Sequence, residues 1–429
     1  MQSNRQADYI IVGSGAGGST AARELAKRKK QVLVIEGGPE TAKMGKPLPS
    51  MRFYDGNRFA LRIRHSREGV GIVRTLIGGG STIVSCGNGV RCLESEIREL
   101  GIDLADDFAE VEQELHVGPI AARLYSNGSR AMIEAGKELG YSLDPMPKFV
   151  DASKCRKCGQ CIFGCVHGAK WTALEYLKEA VANGAEVSYN TTVKKVLTDG
   201  GKVRGVQVVD RQGSRDIPAR AVILAAGGIG TPVILQNSGI TEAGRNLFID
   251  LLVTTYGITD DERLSQVHEP SMTFVDLEFQ KSKGFLLSTA ASNGGMEKYI
   301  SYGFNGFFLP DKRTIAMMTK IADEPAGRVY PDGSISKKVT AQDWTRLNAG
   351  SAISKEIMKK AGAKKFGVSY VSGAHPGGTA AIGEIVDKDL QTKVDGLFVA
   401  DGSVLPKAPG LPPILTIVAL AKHLGKALP

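Results

Sequence analysis

A glycine-rich turn between two apolar stretches is the feature that most constrains the fold of this chain. Residues 8–13 (DYIIVG) predict a buried strand, the segment after them predicts a helix, and residues 31–36 (QVLVIE) predict a second strand. In the turn that joins the first strand to the helix, Gly13, Gly15 and Gly18 give the spacing G-x-G-x-x-G. This β-α-β pattern indicates an α/β domain that binds a dinucleotide.

Each glycine of this turn has its own physical role. Gly13 permits the tight turn, Gly15 lets the backbone approach a pyrophosphate, and Gly18 lets the helix pack closely on the strand. Glu36 ends the second strand, 18 residues after Gly18, where a carboxylate can accept a hydrogen bond from a ribose hydroxyl. Because the glycines come with a strand, a helix and an acid, a ligand-free turn is the less favoured interpretation.

A run of cysteines is the second informative motif. The string KCRKCGQCIFGC contains Cys155, Cys158, Cys161 and Cys165. Two, two and three residues separate successive cysteines, which is the ligand spacing of a ferredoxin-type iron–sulfur loop. Zinc sites usually pair two C-x-x-C knuckles across a longer loop, so zinc is less favoured. The run therefore predicts an iron–sulfur cluster, most simply with four irons and four sulfides.

The fourth ligand of this cluster stays open at the level of sequence. In two-cluster ferredoxins the fourth cysteine of such a run serves the other cluster, yet this chain has no second run. Cys165 could be the fourth ligand, or the fold could bring in Cys86 or Cys92. A three-iron cluster held by three cysteines is a further possibility.

Composition and charge narrow the class of protein. The 429 residues suggest two domains, and the six cysteines are not spaced as a disulfide framework. The net charge of +9 is spread along the chain without a long basic run, which argues against a nucleic-acid interface. No apolar stretch predicts a membrane span and the N-terminus does not resemble a signal peptide, so we expect a cytoplasmic protein.

Basic residues flank the cysteine run and form what we call the basic collar. The collar consists of Lys148, Lys154, Arg156, Lys157 and Lys170. A positive surface around a redox centre attracts an acidic partner and steers its encounter. We therefore expect an acidic electron carrier such as ferredoxin as the partner protein.

The remaining pattern divides the chain into a discontinuous first domain and an inserted second one. Residues 1–246 form the first part of the cofactor domain and include the cysteine loop at 151–170. Residues 247–365 predict an antiparallel sheet that would carry the substrate site, and residues 366–429 return to the cofactor domain. The segment 74–89 (RTLIGGGSTIVSCGNG) is too rich in glycine for a regular element, so we expect a loop against a flat ligand.

Several segments, taken in order, resemble the glucose–methanol–choline (GMC) family of flavin oxidoreductases. They are the N-terminal fingerprint, GGGSTIVS, GCVHGAKWTALEYL, AAGGIGTPVILQNSGI, GRNLFID, HPGGT and VADGSVLPKAPGLPPILTIVALA. The resemblance covers most of the chain and implies FAD on a Rossmann-like α/β domain, with a smaller antiparallel-sheet substrate domain over the flavin ring. It places Val193 beside the adenine, the loop at 79–81 beside the flavin, and Asp401 and Gly402 along the pyrophosphate or ribityl chain.

The full set of expected FAD-binding residues combines the fingerprint, this resemblance and the start of the last helix. It comprises Gly13, Ser14, Gly15, Ala16, Gly17, Gly18, Glu36, Gly37, Gly79, Gly80, Ser81, Val193, Ala226, Gly227, Asp401, Gly402, Pro413, Ile414 and Leu415. A helix N-terminus presents unpaired N–H groups and a positive dipole end, which suits the negative charge of a reduced flavin. Pro413 fits the first helical position.

His375, in the segment AHPGGT, is the predicted catalytic base. Oxidation of an alcohol requires a group that removes the hydroxyl proton as hydride moves to flavin N5, and histidine titrates in the right range. The family usually has Asn or His shortly before the last helix as a second catalytic residue, whereas this chain has Pro412. Proline has no side-chain hydrogen-bonding group, so another residue must share the work or the reaction needs none.

These features favour an FAD-dependent oxidoreductase that acts on a CH–OH group of a small molecule. Electrons would leave the flavin through the iron–sulfur cluster to the carrier. Two alternatives stay open: a ferredoxin-driven reductase of a carbonyl or activated C=C bond, and a non-catalytic electron-transfer flavoprotein subunit. The substrate, the direction of the reaction and the oligomeric state are not encoded in any motif.

Overall fold

Two β-sheets organise the chain, and the computed structural model describes residues 6–41, 44–56, 63–290, 298–299 and 302–429. The helices are α1 Ala16–Lys27, α2 Pro47–Met51, α3 Glu94–Glu99, α4 Ala105–Glu114, α5 Asn127–Glu138, α6 Ala173–Ala182, α7 Gly227–Asn237, α8 Glu278–Lys283, α9 Ala341–Lys360 and α10 Ile414–Ala427. Strands β1 to β10 are Ala7–Val12, Val32–Ile35, Arg64–His65, Gly71–Ile72, Gly118–Pro119, Asp144–Pro145, Pro147–Lys148, Glu186–Ser188, Thr192–Asp199 and Lys202–Asp210. Strands β11 to β20 are Gly213–Leu224, Leu251–Thr259, Phe274–Asp276, Phe285–Thr289, Thr314–Ile321, Arg328–Val329, Ile335–Ser336, Ala363–Val368, Ser372–Gly373 and Leu397–Val399.

The first sheet has seven strands in the order β8-β2-β1-β11-β10-β9, with β20 also paired to β11. Strands β8, β2, β1, β11 and β20 run parallel, and α1 connects β1 to β2. The predicted β-α-β unit and the α/β fold class are thus confirmed. The long strand β11 pairs with β10 through its first half and with β1 through its second half, so it joins a hairpin to the parallel sheet.

Helix α1 packs so closely on this sheet that two of its residues have no room for a side chain. A Cβ added at Gly17 of α1 would lie 1.6 Å from the carbonyl oxygen of Ala400, just beyond β20. A Cβ at Gly18 would lie 2.0 Å from the carbonyl oxygen of Gly13. These glycines therefore let α1 approach the strand ends as closely as the dinucleotide-binding turn requires. Helix α10 packs on α1, and both contribute to the core cluster around the first sheet.

The second sheet is mainly antiparallel and has nine strands. Its order is β3-β4-β19-β12-β15-β14-β13-β6, with β18 also paired to β12. Four of its strands, β12 to β15, come from the segment for which we expected an antiparallel sheet. It also takes β3, β4 and β6 from much earlier in the chain and β19 from residues 372–373. Helices α5 and α9 contribute to the core on this sheet.

Two local expectations differ from the structure. The glycine-rich segment 74–89 is not wholly irregular, because residues Gly80–Val84 form a short 3-10 helix that positive φ angles at Gly79 and Gly80 make possible. Pro413 is the N-cap of α10 and not its first helical residue, since its carbonyl accepts the hydrogen bond from the Ile417 amide at 3.0 Å. No helix in the described ranges is long and apolar enough to cross a membrane.

A fully buried ion pair joins the chain just after β15 of the second sheet to the chain just after β17. Lys337 Nζ is 2.5 Å from Asp323 Oδ2, and both side chains are 0% exposed. The Asp323 carboxylate also accepts hydrogen bonds from the amides of Ile249 and Leu251, at 3.2 Å each. Burial raises the pKa of Asp323 to about 6, while Lys337 opposes that rise.

Removing one partner of this pair is predicted to cost much stability. The Lys337→Met protein leaves a buried carboxylate unpaired, so its free energy of unfolding should fall by about 3–5 kcal/mol in a denaturant titration. The matched control is Lys364→Met, which removes a lysine from an ion pair with Asp260 in which both side chains are 71% exposed. That change should cost at most about 1 kcal/mol. Equal losses in the two proteins would contradict the prediction.

Candidate active site

The carboxylate of Glu36 holds the dinucleotide turn in shape. Its Oε2 accepts hydrogen bonds from the Ser14 amide at 2.9 Å and the Ser14 hydroxyl at 2.7 Å, and its Oε1 accepts one from the Gly38 amide at 2.8 Å. Glu36 follows β2 directly, so the predicted acid lies at the carboxyl end of the sheet beside the turn. The amide of Thr191 binds the Glu36 carbonyl, which brings the start of β9, with Val193, to the same edge.

Three other predicted segments gather around this turn. The Gly79 amide donates to the Ser14 hydroxyl at 3.0 Å, and a Cβ at Gly80 would lie 3.0 Å from the Cα of Gly15. The Asp401 carboxylate accepts hydrogen bonds from the Gly227 amide at 2.8 Å and from the Thr231 hydroxyl at 2.6 Å. The glycine-rich loop, the start of α7 and the segment after β20 therefore meet at one end of the parallel sheet.

Gly15 differs from its neighbours in the space around it. A Cβ built there meets no atom within 4 Å, whereas those at Gly13, Gly17 and Gly18 would each overlap a backbone carbonyl oxygen. Gly15 is the N-cap of α1, whose first amides have no intrahelical acceptor. Open space beside a helix N-terminus is what a bound pyrophosphate requires.

The N-terminus of α10 forms the opposite side of the site. The first amides of this helix, from Ile414 to Thr416, have no intrahelical acceptors. The Thr416 hydroxyl donates to the Cys92 carbonyl at 3.0 Å and accepts from the Cys92 amide at 3.1 Å. Cys92 is therefore fixed against α10, and burial raises the pKa of its thiol to about 12.

His375 lies between the two sheets with both of its ring contacts at one nitrogen. Its Nδ1 is 2.9 Å from Asp250 Oδ2 and 3.1 Å from Lys320 Nζ. No hydrogen bond from a described residue involves Nε2, and the side chain of His375 is 22% exposed. Burial, and then the charge of Lys320, lower the pKa of His375 well below its usual value.

Asp250 fixes the histidine through a second contact. Its side chain is 0% exposed, and its Oδ1 accepts a hydrogen bond from the Gly410 amide at 2.9 Å. Burial raises the pKa of Asp250 to about 7, against the opposing effect of Lys320. Burial likewise lowers the pKa of Lys320 to about 8. The side chains of His375, Asp250 and Lys320 therefore form one cluster of three ionisable groups.

The sequence analysis singled out His375 as the predicted base but did not name its two partners. Asp250 closes the segment GRNLFID, which carried part of the family resemblance but no assigned role. Its φ of 54° turns the chain immediately before β12. Lys320 lies in TIAMMTKI, a strand that alternation alone would assign to the core. A lysine inside an apolar strand was the available signal, because such a side chain must find an acceptor when it is buried.

The cysteine run lies on the other side of the glycine-rich loop. Its residues form turns and a short 3-10 helix, Cys161–Phe163, that contacts the 3-10 helix Gly80–Val84. None of the six cysteines forms a disulfide bond. In the described ranges, no three His, Cys, Asp or Glu side chains converge as ligands of a single metal ion. The predicted iron–sulfur ligands Cys155, Cys158 and Cys165, with Cys161, are therefore not assembled as a one-ion site.

Two members of the basic collar are not on the surface, which corrects that prediction. Lys148 is 2% exposed, and its ammonium donates to the carbonyls of Cys86 and Ser271 and to the Asn88 side chain, at 2.6–2.9 Å. Lys170 is 4% exposed and donates to the carbonyls of Ile83, Ser85 and Cys161. Backbone carbonyls, with the Asn88 side chain at Lys148, satisfy both ammonium groups, so burial is tolerated.

Cys86 and Cys92, the two alternatives for the fourth cluster ligand, differ in position. Cys92 is bound to Thr416 at the N-terminus of α10. Cys86 and Cys161 both lie close enough to Lys148 and Lys170 to act on the charges of those lysines. Of the two, Cys86 is the thiol that lies beside the cysteine run.

Comparison with known proteins identifies this arrangement. The profiles that define GMC oxidoreductases match residues 7–252 and 313–421. The chain belongs to the GMC oxidoreductase family. The uncharacterized protein MJ1450 of Methanocaldococcus jannaschii is 32% identical over 97% of this chain and 98% of its own length. The long-chain-alcohol oxidase FAO4B of Arabidopsis thaliana is 25% identical over 96% of this chain and 66% of its own length.

A solved structure agrees in fold. The pyridoxine 4-oxidase from Mesorbium loti superposes with a TM-score of 0.75 at 17% identity, covering 98% of each chain. As a GMC oxidoreductase, the chain is an FAD-dependent enzyme of the class that acts on CH–OH groups. The open space at Gly15 and the two helix N-termini fit FAD, which would be held by the residues around Ser14, Gly227 and Ile414.

A substitution at Gly15 separates FAD binding from folding. Gly15→Val places its side chain in open space, so the free energy of unfolding of the apoprotein should change by less than about 1 kcal/mol. The same side chain would block close approach of the pyrophosphate, so the Kd for FAD should rise at least about tenfold, as measured by flavin fluorescence.

The control for this experiment is another glycine with free space. Gly118→Val is matched, because a Cβ there also meets no atom within 4 Å, on a strand outside the first sheet. Its affinity for FAD should equal that of the wild-type chain. Wild-type affinity in the Gly15→Val protein would place the pyrophosphate elsewhere.

Proposed function

We propose that this enzyme oxidises a CH–OH group of a small molecule, with FAD as hydride acceptor and His375 as catalytic base, and passes the electrons on through an iron–sulfur cluster. The observation that carries the first part is the contact of His375 Nδ1 with the buried carboxylate of Asp250, 2.9 Å away. The names of two similar proteins, a long-chain-alcohol oxidase and a pyridoxine 4-oxidase, support an alcohol-type substrate.

The contact with Asp250 determines which nitrogen can act as base. When Nδ1–H donates to the Asp250 carboxylate, the lone pair of the neutral ring lies on Nε2. The lowered pKa of His375 keeps the ring neutral before the reaction. Nε2 then accepts the proton of the substrate hydroxyl, and Asp250 stabilises the imidazolium that forms.

Other parts of the site support the same chemistry. Bound FAD supplies the hydride acceptor. The amides at the start of α10 offer hydrogen-bond donors and a positive dipole end to the negative charge that reduction creates. Pro412 provides no side-chain donor there, and Lys320, from β15 of the second sheet, places an ammonium group at the same histidine.

Substitutions at His375 and Asp250 test the base. His375→Ala should lower the rate of flavin reduction by primary alcohols about 10²–10⁴-fold, because the general base is lost. Asp250→Asn should lower it by a similar factor, because its amide N–H can donate to Nδ1 and so shift the proton to Nε2. Stopped-flow absorbance of the bound flavin gives both rates.

The pH dependence of the wild-type rate completes the test. The His375–Asp250 pair can accept the substrate proton only when it carries no extra proton itself. Burial raises the pKa of Asp250 to about 7. The rate should therefore rise as the pH is raised through about 7 and level off above it. FAD content should be unchanged in both variants. Unaltered flavin reduction in His375→Ala would exclude this histidine as the base.

The surroundings of the cysteine run support the iron–sulfur part of the proposal. Iron–sulfur clusters are held by thiolates and carry negative charge, and such a cluster supplies one-electron transfer. Lys148 and Lys170 are buried beside these cysteines, and neither makes an ion pair with a described carboxylate. A buried cation without a counter-charge is costly, and an anionic cluster would provide that counter-charge.

The same proposal specifies the partner. Lys154 and Arg156 are the exposed members of the collar, and Lys157, partly buried, donates to the Tyr125 carbonyl at 3.3 Å. Lys154 is only loosely compensated, by Asp151 at 3.3 Å. A positive surface beside the cysteines suits an acidic one-electron carrier such as ferredoxin.

Metal content tests the cluster directly. Anaerobically purified protein should contain iron and acid-labile sulfide and should give an electron paramagnetic resonance signal after reduction. Serine at Cys155, Cys158 or Cys161 should remove most of the iron, because each is a proposed ligand. Cys92→Ser is the matched control and should retain it, since Cys92 binds Thr416. Wild-type protein with FAD but no iron would exclude the relay.

A further inference from the structure

One nitrogen of His375 faces two groups of opposite charge. The distances from Nδ1 are 2.9 Å to Asp250 Oδ2 and 3.1 Å to Lys320 Nζ, and the two partners are 3.9 Å apart. The side chain of Lys320 is 2% exposed and that of Asp250 is 0% exposed. Water therefore screens these charges little, and each strongly affects the proton affinity of the others.

We propose that Lys320 is a positioning residue whose ammonium charge holds the His375–Asp250 pair in its proton-accepting form at neutral pH. This inference rests on the proposed role of His375 as base. An ammonium group 3.1 Å from Nδ1 repels the second proton of an imidazolium. The same charge, 3.9 Å from the carboxylate, favours the ionised form of Asp250.

The other charged groups nearby do not replace Lys320. Lys337 acts on Asp250 from farther away and is paired with Asp323 at 2.5 Å. Cys92 and Cys86 act on the charge of Lys320 and carry no positive charge of their own. Lys320 is therefore the ammonium that contacts the histidine.

The strand that carries Lys320 explains why this side chain can take the place of the missing polar residue. β15 lies between β12 and β14 in the middle of the second sheet, and Lys320 pairs there with Leu252, two residues after Asp250. The position before α10 where the family usually has a second polar catalytic residue is Pro412 in this chain, and proline has no polar side chain. The ammonium group thus comes from the sheet and not from the helix.

The proposal fixes how protons balance in each direction. In oxidation, the C–H hydride goes to FAD, the hydroxyl proton goes to His375 Nε2, and a C=O bond forms. In the reverse direction Nε2–H gives its proton to the carbonyl oxygen as the hydride returns to carbon. Oxidation therefore needs the pair without the extra proton, and reduction needs the pair with it. By disfavouring that proton, Lys320 favours oxidation.

A titration of His375 in the FAD-bound enzyme tests this assignment without a known substrate. The chain has six histidines, so ¹⁵N-histidine labelling gives few signals, and the one lost in His375→Gln belongs to this residue. In Lys320→Met the apparent pKa of His375 should rise by about one unit or more. Lys320→Gln, which keeps a donor but no charge, should do the same. Lys320→Arg should restore the wild-type value.

The control is Lys365→Met, on the exposed part of β18, which should leave the titration unchanged. A wild-type titration of His375 in both Lys320→Met and Lys320→Gln would overturn the proposal. FAD content verifies that each variant is folded. If His375→Ala reduces its flavin as fast as the wild type, the base assignment fails, yet the titration still decides whether Lys320 sets the protonation of the pair.

Rates in the two directions distinguish this role from a structural one. With benzyl alcohol at neutral pH, flavin reduction in Lys320→Gln should be about fivefold slower, since raising an apparent pKa near 7 by one unit lowers the unprotonated fraction of the pair by about that factor. Oxidation of the reduced flavin by benzaldehyde should be faster in the same variant. Equal slowing in both directions would indicate a structural role and overturn the proposal.

Discussion

One buried carboxylate, that of Asp250, connects the parts of the chain that must come together for chemistry. Its two oxygens bind the imidazole of His375 and the amide of Gly410, and the ammonium of Lys320 lies 3.9 Å away. These contacts join the residue before β12, the end of β15, the loop after β19 and the approach to α10. Because an unpaired carboxylate is very costly in such a place, the four segments cannot separate without exposing it to water or leaving it alone. The same contact therefore stabilises the junction of the two sheets and orients the histidine.

Buried lysines in this protein fall into two groups. Lys320 and Lys337 lie near carboxylates in the second sheet, so their charges are balanced by side chains of the protein. Lys148 and Lys170 instead bind carbonyl and amide oxygens beside the cysteines, which satisfies their hydrogen bonds, but neither pairs with a carboxylate in the part of the chain that the structure describes. Hydrogen bonding and charge compensation are separate requirements. Lys148 and Lys170 therefore favour an anionic group bound at the cysteines, and this argument is independent of the spacing of the cysteines.

The sequence predicted the first sheet well because its signals are local. Gly13 and Gly18 lie within six residues, and each is required by a backbone contact that allows no side chain. His375 could also be singled out from the sequence, since glycines lie near it in the chain and the family resemblance gives it a role. Asp250 and Lys320 were not, because their meaning depends on a contact between residues 70 apart in the chain and on strand pairing that no local pattern encodes. The burial of Lys148 was missed for the same reason: two of its three acceptors are backbone carbonyl groups, which every residue carries, and the third is the side chain of Asn88, 60 residues away.

The segment from Cys86 to Asn88 lies between the two chemical sites. On one side, the thiol of Cys86 is close enough to Lys320 to affect its charge. On the other, the carbonyl of Cys86 and the side chain of Asn88 hold the ammonium of Lys148, which the thiol of Cys161 also affects. Cys86 is therefore within electrostatic reach both of Lys320, beside His375, and of Lys148, beside the cysteine run.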